Sequence, residues 1–137
     1  MKSHSKIEVA LKALVRAREM FLLGDFVSAT ILAGAGQQIV RDVCKSRKIE
    51  PTIKTISDVS GHPAKMVHDL VSEAYNKMKH ADIDPDGIVE VSDDEPRVLI
   101  TLAVTDLMRL KQIKTEEISA LIDFVRSIKA SQPQSSP

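Results

Sequence analysis

The chain of 137 residues has one cysteine, no tryptophan and no net charge, and each shortage excludes something. Cys44 alone can form neither an intrachain disulfide nor a cysteine-built zinc cluster, so the chain suits a reducing cytoplasm, with the thiol as a small packing residue. Phe21, Phe26, Tyr75 and Phe124 are all the aromatic rings of the Phe, Tyr and Trp kind, too few for a platform on which successive bases stack. Basic and acidic residues balance at 19 each, so no global field recruits nucleic acid or a membrane, and any basic surface is local. Long apolar runs are missing as well. Lys2, Lys6, Glu8, Lys12, Arg16 and Arg18 interrupt the N-terminal region and leave no signal-peptide core. The longest uncharged stretch, residues 26–40, includes two glycines and two glutamines and falls short of the ~20 apolar residues of a membrane span. These absences predict a cytoplasmic protein with no membrane partner.

What is present, 43% hydrophobic and 28% charged residues, is the composition of an ordinary globular domain. The length suits one domain, residues 1–130, followed by a disordered tail, residues 131–137, with nothing apolar to bury. Ile7, Ala10, Leu11, Leu14, Val15, Phe21 and Leu22 recur at helical spacing, Gly24 stops that helix, and Asp25 caps the next. Residues 26–48 continue as a helix whose stripe reads Ser28, Leu32, Ala35/Gly36, Ile39 and Val43. Its small residues Ala29, Ala33 and Gly36 permit a close backbone approach, so it belongs at the centre of the fold or at a subunit contact. Gly34 and Gly36 also invite a dinucleotide-binding reading, which fails because Ile39 occupies the third glycine position and no acidic ribose ligand follows a second strand. No cofactor is expected.

Pro51 and Thr52 open a short helix that Gly61 ends, and Pro63 starts another that runs to about His80, with Val67, Leu70, Val71, Ala74, Met78 and Ala81 as its inner stripe. Residues 81–95 hold seven carboxylates and no basic group. The string VLITLAV after Pro96 would suit a strand, but the pattern continues through Leu107, Leu110 and Ile113, which favours a helix. Thr115, with Glu116 and Glu117, caps a last helix carrying Ile118, Leu121, Ile122, Val125 and Ile128. The expected fold is all-α, an antiparallel four-helix up-and-down bundle with one or two extra short helices.

Three groups of residues could carry chemistry. Asn76 and His80 lie four apart on one helix face, where an amide and an imidazole can converge on a ligand. The plain alternative is a solvated helix end with His80 facing the negative end of the dipole. In the acidic stretch, Asp82, Asp84, Asp86, Gly87 and Asp93 follow the spacing of an EF-hand calcium loop. Pro85 stiffens its interior and Asp93 stands where the longer Glu belongs, so turn chemistry is the stronger reading, and no metal site is assigned. Arg41, Lys45, Arg47, Lys48 and Lys54 form a basic patch, either a solvated face or a contact for RNA phosphates. His68, one heptad before Tyr75, reads as a hydrogen-bonded surface group, and His4 and His62 lie in a leader and a turn.

The segments GDF-x-SA-x-x-LAGAG, Gly24 to Gly36, and N-x-x-x-HAD, Asn76 to Asp82, resemble the prokaryotic branch of the HEPN-domain family of helical bundle proteins, and the resemblance spans residues 7–110. Catalytic members of that family are metal-independent endoribonucleases whose motif is Arg, a polar residue, a few variable residues, then His. The resemblance implies that Asn76 takes the polar place and His80 the histidine's, with Tyr75 where the arginine belongs. A tyrosine offers one neutral hydroxyl in place of a charged planar fork, which leaves cleavage weakened unless Lys77, Lys79 or another helix supplies the cation. The resemblance further implies a homodimer whose motif helices face each other and a toxin–antitoxin or defence setting with a nucleotidyltransferase-type partner protein; the charge pattern assigns RNA-phosphate contact to Arg41, Lys45, Arg47, Lys48, Lys77 and Lys79. The expected function is an RNA- or nucleotide-associated accessory protein with weakened or absent endoribonuclease activity. The alternatives are a purely structural dimerisation or adaptor domain, and an active ribonuclease that uses lysine in place of the arginine.

Overall fold

A computed structural model describes residues 1–112 and 116–131, the side chains of 128–131 excepted. Among the described residues the chain is all-helical, without strands: α1 (Lys6–Leu22), α2 (Phe26–Ser46), α3 (Thr52–Ser60), α4 (Ala64–Val71), α5 (Glu73–Lys79), α6 (Asp94–Arg109) and α7 (Glu116–Ser131). The apolar string after Pro96 is therefore helix. Ser131 closes α7, and the rest of the expected tail, with Ile113 and the cap at Thr115, lies outside the described residues.

Local chemistry sets most of the helix ends. Ser5 accepts the Glu8 N–H at 3.1 Å, and Asp25 accepts that of Ser28 at 3.0 Å, each quieting one orphan donor of a first turn. Hydrogen bonds from the Ser28 side chain and backbone hold the Asp25 carboxyl below the usual carboxylate range. Gly24 at φ +80 turns α1 into α2, and Gly61 at φ +75 closes α3, both in the left-handed region that side chains avoid.

Leu14, Val40, Cys44, Leu99, Ile100, Leu107, Ile118 and Leu121 are fully buried in one core shared by α1, α2, α6 and α7. Removing each of its large aliphatic side chains from water stabilises the fold by about 1.5–3 kcal/mol. A smaller cluster of Ile53, Val67 and Leu102, with Val71, seats α3 and α4 on α6. Burial pushes the Cys44 thiol up to about 11, with Asp106 adding to it, so the cysteine is a packing residue and no nucleophile.

Three features depart from expectation. First, the buried stripe of α2 is Ala29, Ala33, Gly36/Gln37, Val40 and Cys44, while Leu32, Ile39 and Val43 pack at its margin. Small residues face the neighbours because α1 approaches closely: a Cβ on Gly36 would lie 2.7 Å from Leu14 Cγ and 3.3 Å from the Ala10 carbonyl.

Second, the helix expected over residues 63–80 breaks at Ser72, whose φ of −126 leaves the helical region. The Ser72 hydroxyl bonds back to the His68 carbonyl, and Glu95 accepts the N–H groups of Ala74 at 2.8 Å and Tyr75 at 2.7 Å. A carboxylate on those donors stabilises a new helix start. The break turns Leu70 and Ala81 to solvent instead of the core. It also leaves three short helices between α2 and α6 where one or two were expected.

Third, the helices do not simply alternate in direction. Gly36 beside Leu14 and Phe21 beside Phe26 make α1 and α2 antiparallel. Arg97, early in α6, stacks over Phe21 near the start of α2, whereas Asp106, late in α6, meets Cys44 near its end. Thus α6 runs in the same direction as α2, and the segment between them carries the chain back along the molecule.

Candidate functional site

Glu95 and Asp106 fix the starts of two helices between α2 and α6. They stand eleven residues apart on α6, about three turns, and so share a face. Glu95 caps α5. Asp106, 1% exposed, accepts the Thr52 N–H at 2.7 Å and the Thr52 hydroxyl at 2.6 Å at the start of α3. Arg109 adds bonds to the Glu50 carbonyl at 2.8 Å and the Thr55 hydroxyl at 3.1 Å. A rigid α6 therefore holds two short helices by their N-termini.

On α5 the three motif residues part company. Asn76 and His80 line an open groove of about 510 Å³ between the end of α5 and the acidic loop, floored by Met78, Ile83, Ile88 and Val89. His80 is exposed at the C-terminus of α5, its N–H on the Asn76 carbonyl at 3.2 Å. The Asn76 amide donates to Ser72 Oγ at 3.2 Å. Tyr75 turns the other way. Its ring lies so close over α2 that a Cβ on Gly34 would overlap it, and it packs against the main core. Burial raises the pKa of its phenol, so the side chain is neutral at physiological pH and supplies no cation.

The basic residues separate as well. Lys79 reaches α2, with Nζ 3.1 Å from Gln38 Oε1 and 4.9 Å above the centre of the Tyr75 ring. Gln38, Arg41 and Lys45 follow at three- and four-residue steps along one face of α2. On α4, burial and then the charge of Arg41 lower the pKa of half-buried His68, Asp69 raises it, and Lys79 and Lys45 lower it less. Among the described residues neither Lys45 nor Lys79 has a carboxylate within ion-pair distance. Lys77 instead pairs with Glu73 at 3.1 Å and lines the groove. Arg47 and Lys48 lie beyond the end of α2, where Arg47 acts on Cys44.

The acidic residues form turns and caps. Asp84 and Gly87 close a turn through Gly87 N–H and the Asp84 carbonyl at 3.1 Å, and the Asp84 carboxylate folds over Gly87. Asp93 precedes α6 and pairs with Arg97 at 3.0 Å. Among the described residues no three His, Cys, Asp or Glu side chains gather as a metal site. Nor is any described helix long and apolar enough to cross a membrane.

Glu95 and the place of Gly34 beneath the Tyr75 ring were not anticipated from the sequence. The first left one trace, its eleven-residue spacing from Asp106. Comparison of the chain with family models, with curated proteins and with solved structures gives no match.

Proposed function

We propose that the chain is a HEPN-like, RNA- or nucleotide-associated accessory protein with weakened or absent endoribonuclease activity. The observation that carries this reading is the gathering of Arg41, Lys45 and Lys79 on one face beside Tyr75, while Asn76 and His80 open onto a separate groove. Cations collected on one face hold phosphate. The place of the motif arginine is taken by a neutral phenol packed on Gly34. Lys79, the cation nearest that phenol, is held by Gln38, apart from the groove that Asn76 and His80 line.

The contacts of α1 with α2, α2 with α6, α6 with α7 and α1 with α7 support a four-helix bundle as the scaffold. A cytoplasmic homodimer, working in a toxin–antitoxin or defence setting beside a nucleotidyltransferase-type protein, completes the reading. A structural adaptor is the second reading, favoured by Leu22, Leu23, Val27 and Ile31, which are 45–77% exposed around the α1–α2 turn.

Incubating the purified chain with a mixed RNA pool tests these readings. The expected result is retention of RNA with little or no cleavage, loss of retention in the Arg41→Ala/Lys45→Ala double variant, and retention unchanged in His80→Ala. Cleavage that disappears in His80→Ala identifies an active ribonuclease instead, and no retention leaves the adaptor.

A further inference from the structure

Residues 87–92 lead towards α6 without helix, turn or bend. Exposure alternates along them: Ile88, Glu90 and Ser92 are exposed, while Val89, Val91 and Asp93 are half-buried, the two-residue period of a strand lying on a surface. Ile88, Val89 and Val91 are also β-branched, the type that suits a strand. Yet among the described residues no backbone N–H or carbonyl of residues 88–91 has a hydrogen-bond partner. An unpaired strand edge is a template on which another chain can pair.

The same residues border two grooves against α5. One is the groove of about 510 Å³ that Asn76 and His80 line, and the other, of about 720 Å³, lies between Glu73 and Ala74 on one side and Glu90 and Val91 on the other. Lys77 and Ile88 line both, so the two are continuous. Ile83 and Ile88, 77% and 90% exposed, offer aliphatic surface with nothing over it. Glu73, Asp84, Glu90 and Glu95 line these grooves against Lys77 alone among lysines and arginines, and Glu73 already pairs with that lysine at 3.1 Å.

We infer that residues 88–91 take an extended segment of a partner protein as an added strand, a segment that alternates aliphatic and basic side chains. Main-chain pairing with residues 88–91 supplies the affinity, and the side chains set the choice of partner. Aliphatic groups cover Ile83 and Ile88, and basic groups meet Glu73 and Glu90. A second copy is the poorer occupant, because its own residues 88–91 would bring Glu90 against Glu90. A nucleic acid is refused by the same carboxylates. The inference stands apart from the RNA reading, which uses Arg41, Lys45 and Lys79.

The test titrates the full chain with an end-blocked hexapeptide of alternating valine and lysine, following the amide signals of residues 88–91 by NMR at two protein concentrations. Those signals should shift with a Kd below about 1 mM, and a hexapeptide of valine and glutamate should bind at least about tenfold more weakly. Successive N–H groups of a strand point to opposite edges, so N-methylation of either the valines or the lysines should abolish binding while the other set tolerates it. Glu90→Lys, at an exposed position, should weaken binding of the lysine peptide by about three- to tenfold. Equal affinity for the two peptides, or binding that survives N-methylation of both sets in turn, overturns the inference, as does the absence of any shift at residues 88–91. Signals that move with protein concentration and not with peptide make a second copy the occupant and overturn it as well.

Discussion

Asp106 is a carboxylate placed among Leu107, Ala103 and Cys44 with 1% of its surface exposed, a position that costs free energy unless its oxygens are satisfied. Thr52 bonds Oδ1 twice, through backbone and hydroxyl, at a helix start where negative charge is favoured. Asp106→Ala should therefore destabilise the chain by about 2–4 kcal/mol, from the lost cap and the orphaned donors. Asp106→Asn keeps an acceptor and should cost less. Urea unfolding of both variants checks this, and an Asp106→Ala loss below about 1 kcal/mol would mean that Thr52 finds water instead. Neither partner hints at the other along the chain, since they are 54 residues apart. From sequence, Asp106 reads as one polar residue interrupting an apolar helix.

At the scale of the element, α2 is defined by what its small residues admit. Gly34 accepts the Tyr75 ring and Gly36 accepts Leu14, so the two glycines of the AGAG string serve different neighbours. Gly34→Ala should destabilise by about 1–3 kcal/mol through overlap with Tyr75. In a Tyr75→Ala background the same change should stabilise by about 0.5–1 kcal/mol, because alanine is the better helix former. Thermal unfolding of the four proteins of that cycle decides it, and an unchanged sign would show that the ring is not the obstacle. Helix boundaries set by neighbouring residues were legible: Gly24 with Asp25, Gly61 with Pro63, and a start near Pro96, which falls at Asp94, all act within a turn. The break at Ser72 was not, because its cap, Glu95, stands 20 residues beyond Tyr75. The pairing of Asn76 with His80 was legible from their four-residue step. The departure of Tyr75 was not, because the glycine that receives it belongs to another helix.

Across the whole molecule, zero net charge means that attraction of a polyanion comes from a few placed cations. If Arg41, Lys45 and Lys79 make the phosphate contacts, the logarithm of the RNA-binding constant should fall against that of salt concentration with a slope of about −2 for a single strand. A slope near twice that would bring in Arg47, Lys48 and Lys77, and a titration in sodium chloride separates the cases. The direction of α6 has a further consequence. Because it runs parallel to α2, a tight hinge cannot join the two, and α3, α4, α5 and the acidic loop form the required return path. His68, Tyr75, Asn76, Lys79 and His80 all ride on that path, and α6 tethers it by the starts of α5 and α3. Much of the path is exposed: residues 81–88 are open to solvent, and α4 and α5 bury one apolar side chain each. It is thus a separable cooperative unit of lower stability than the long helices. Its amide protons should therefore exchange before those of α1, α2, α6 and α7, which stay folded around their core, and hydrogen exchange on the native chain checks this.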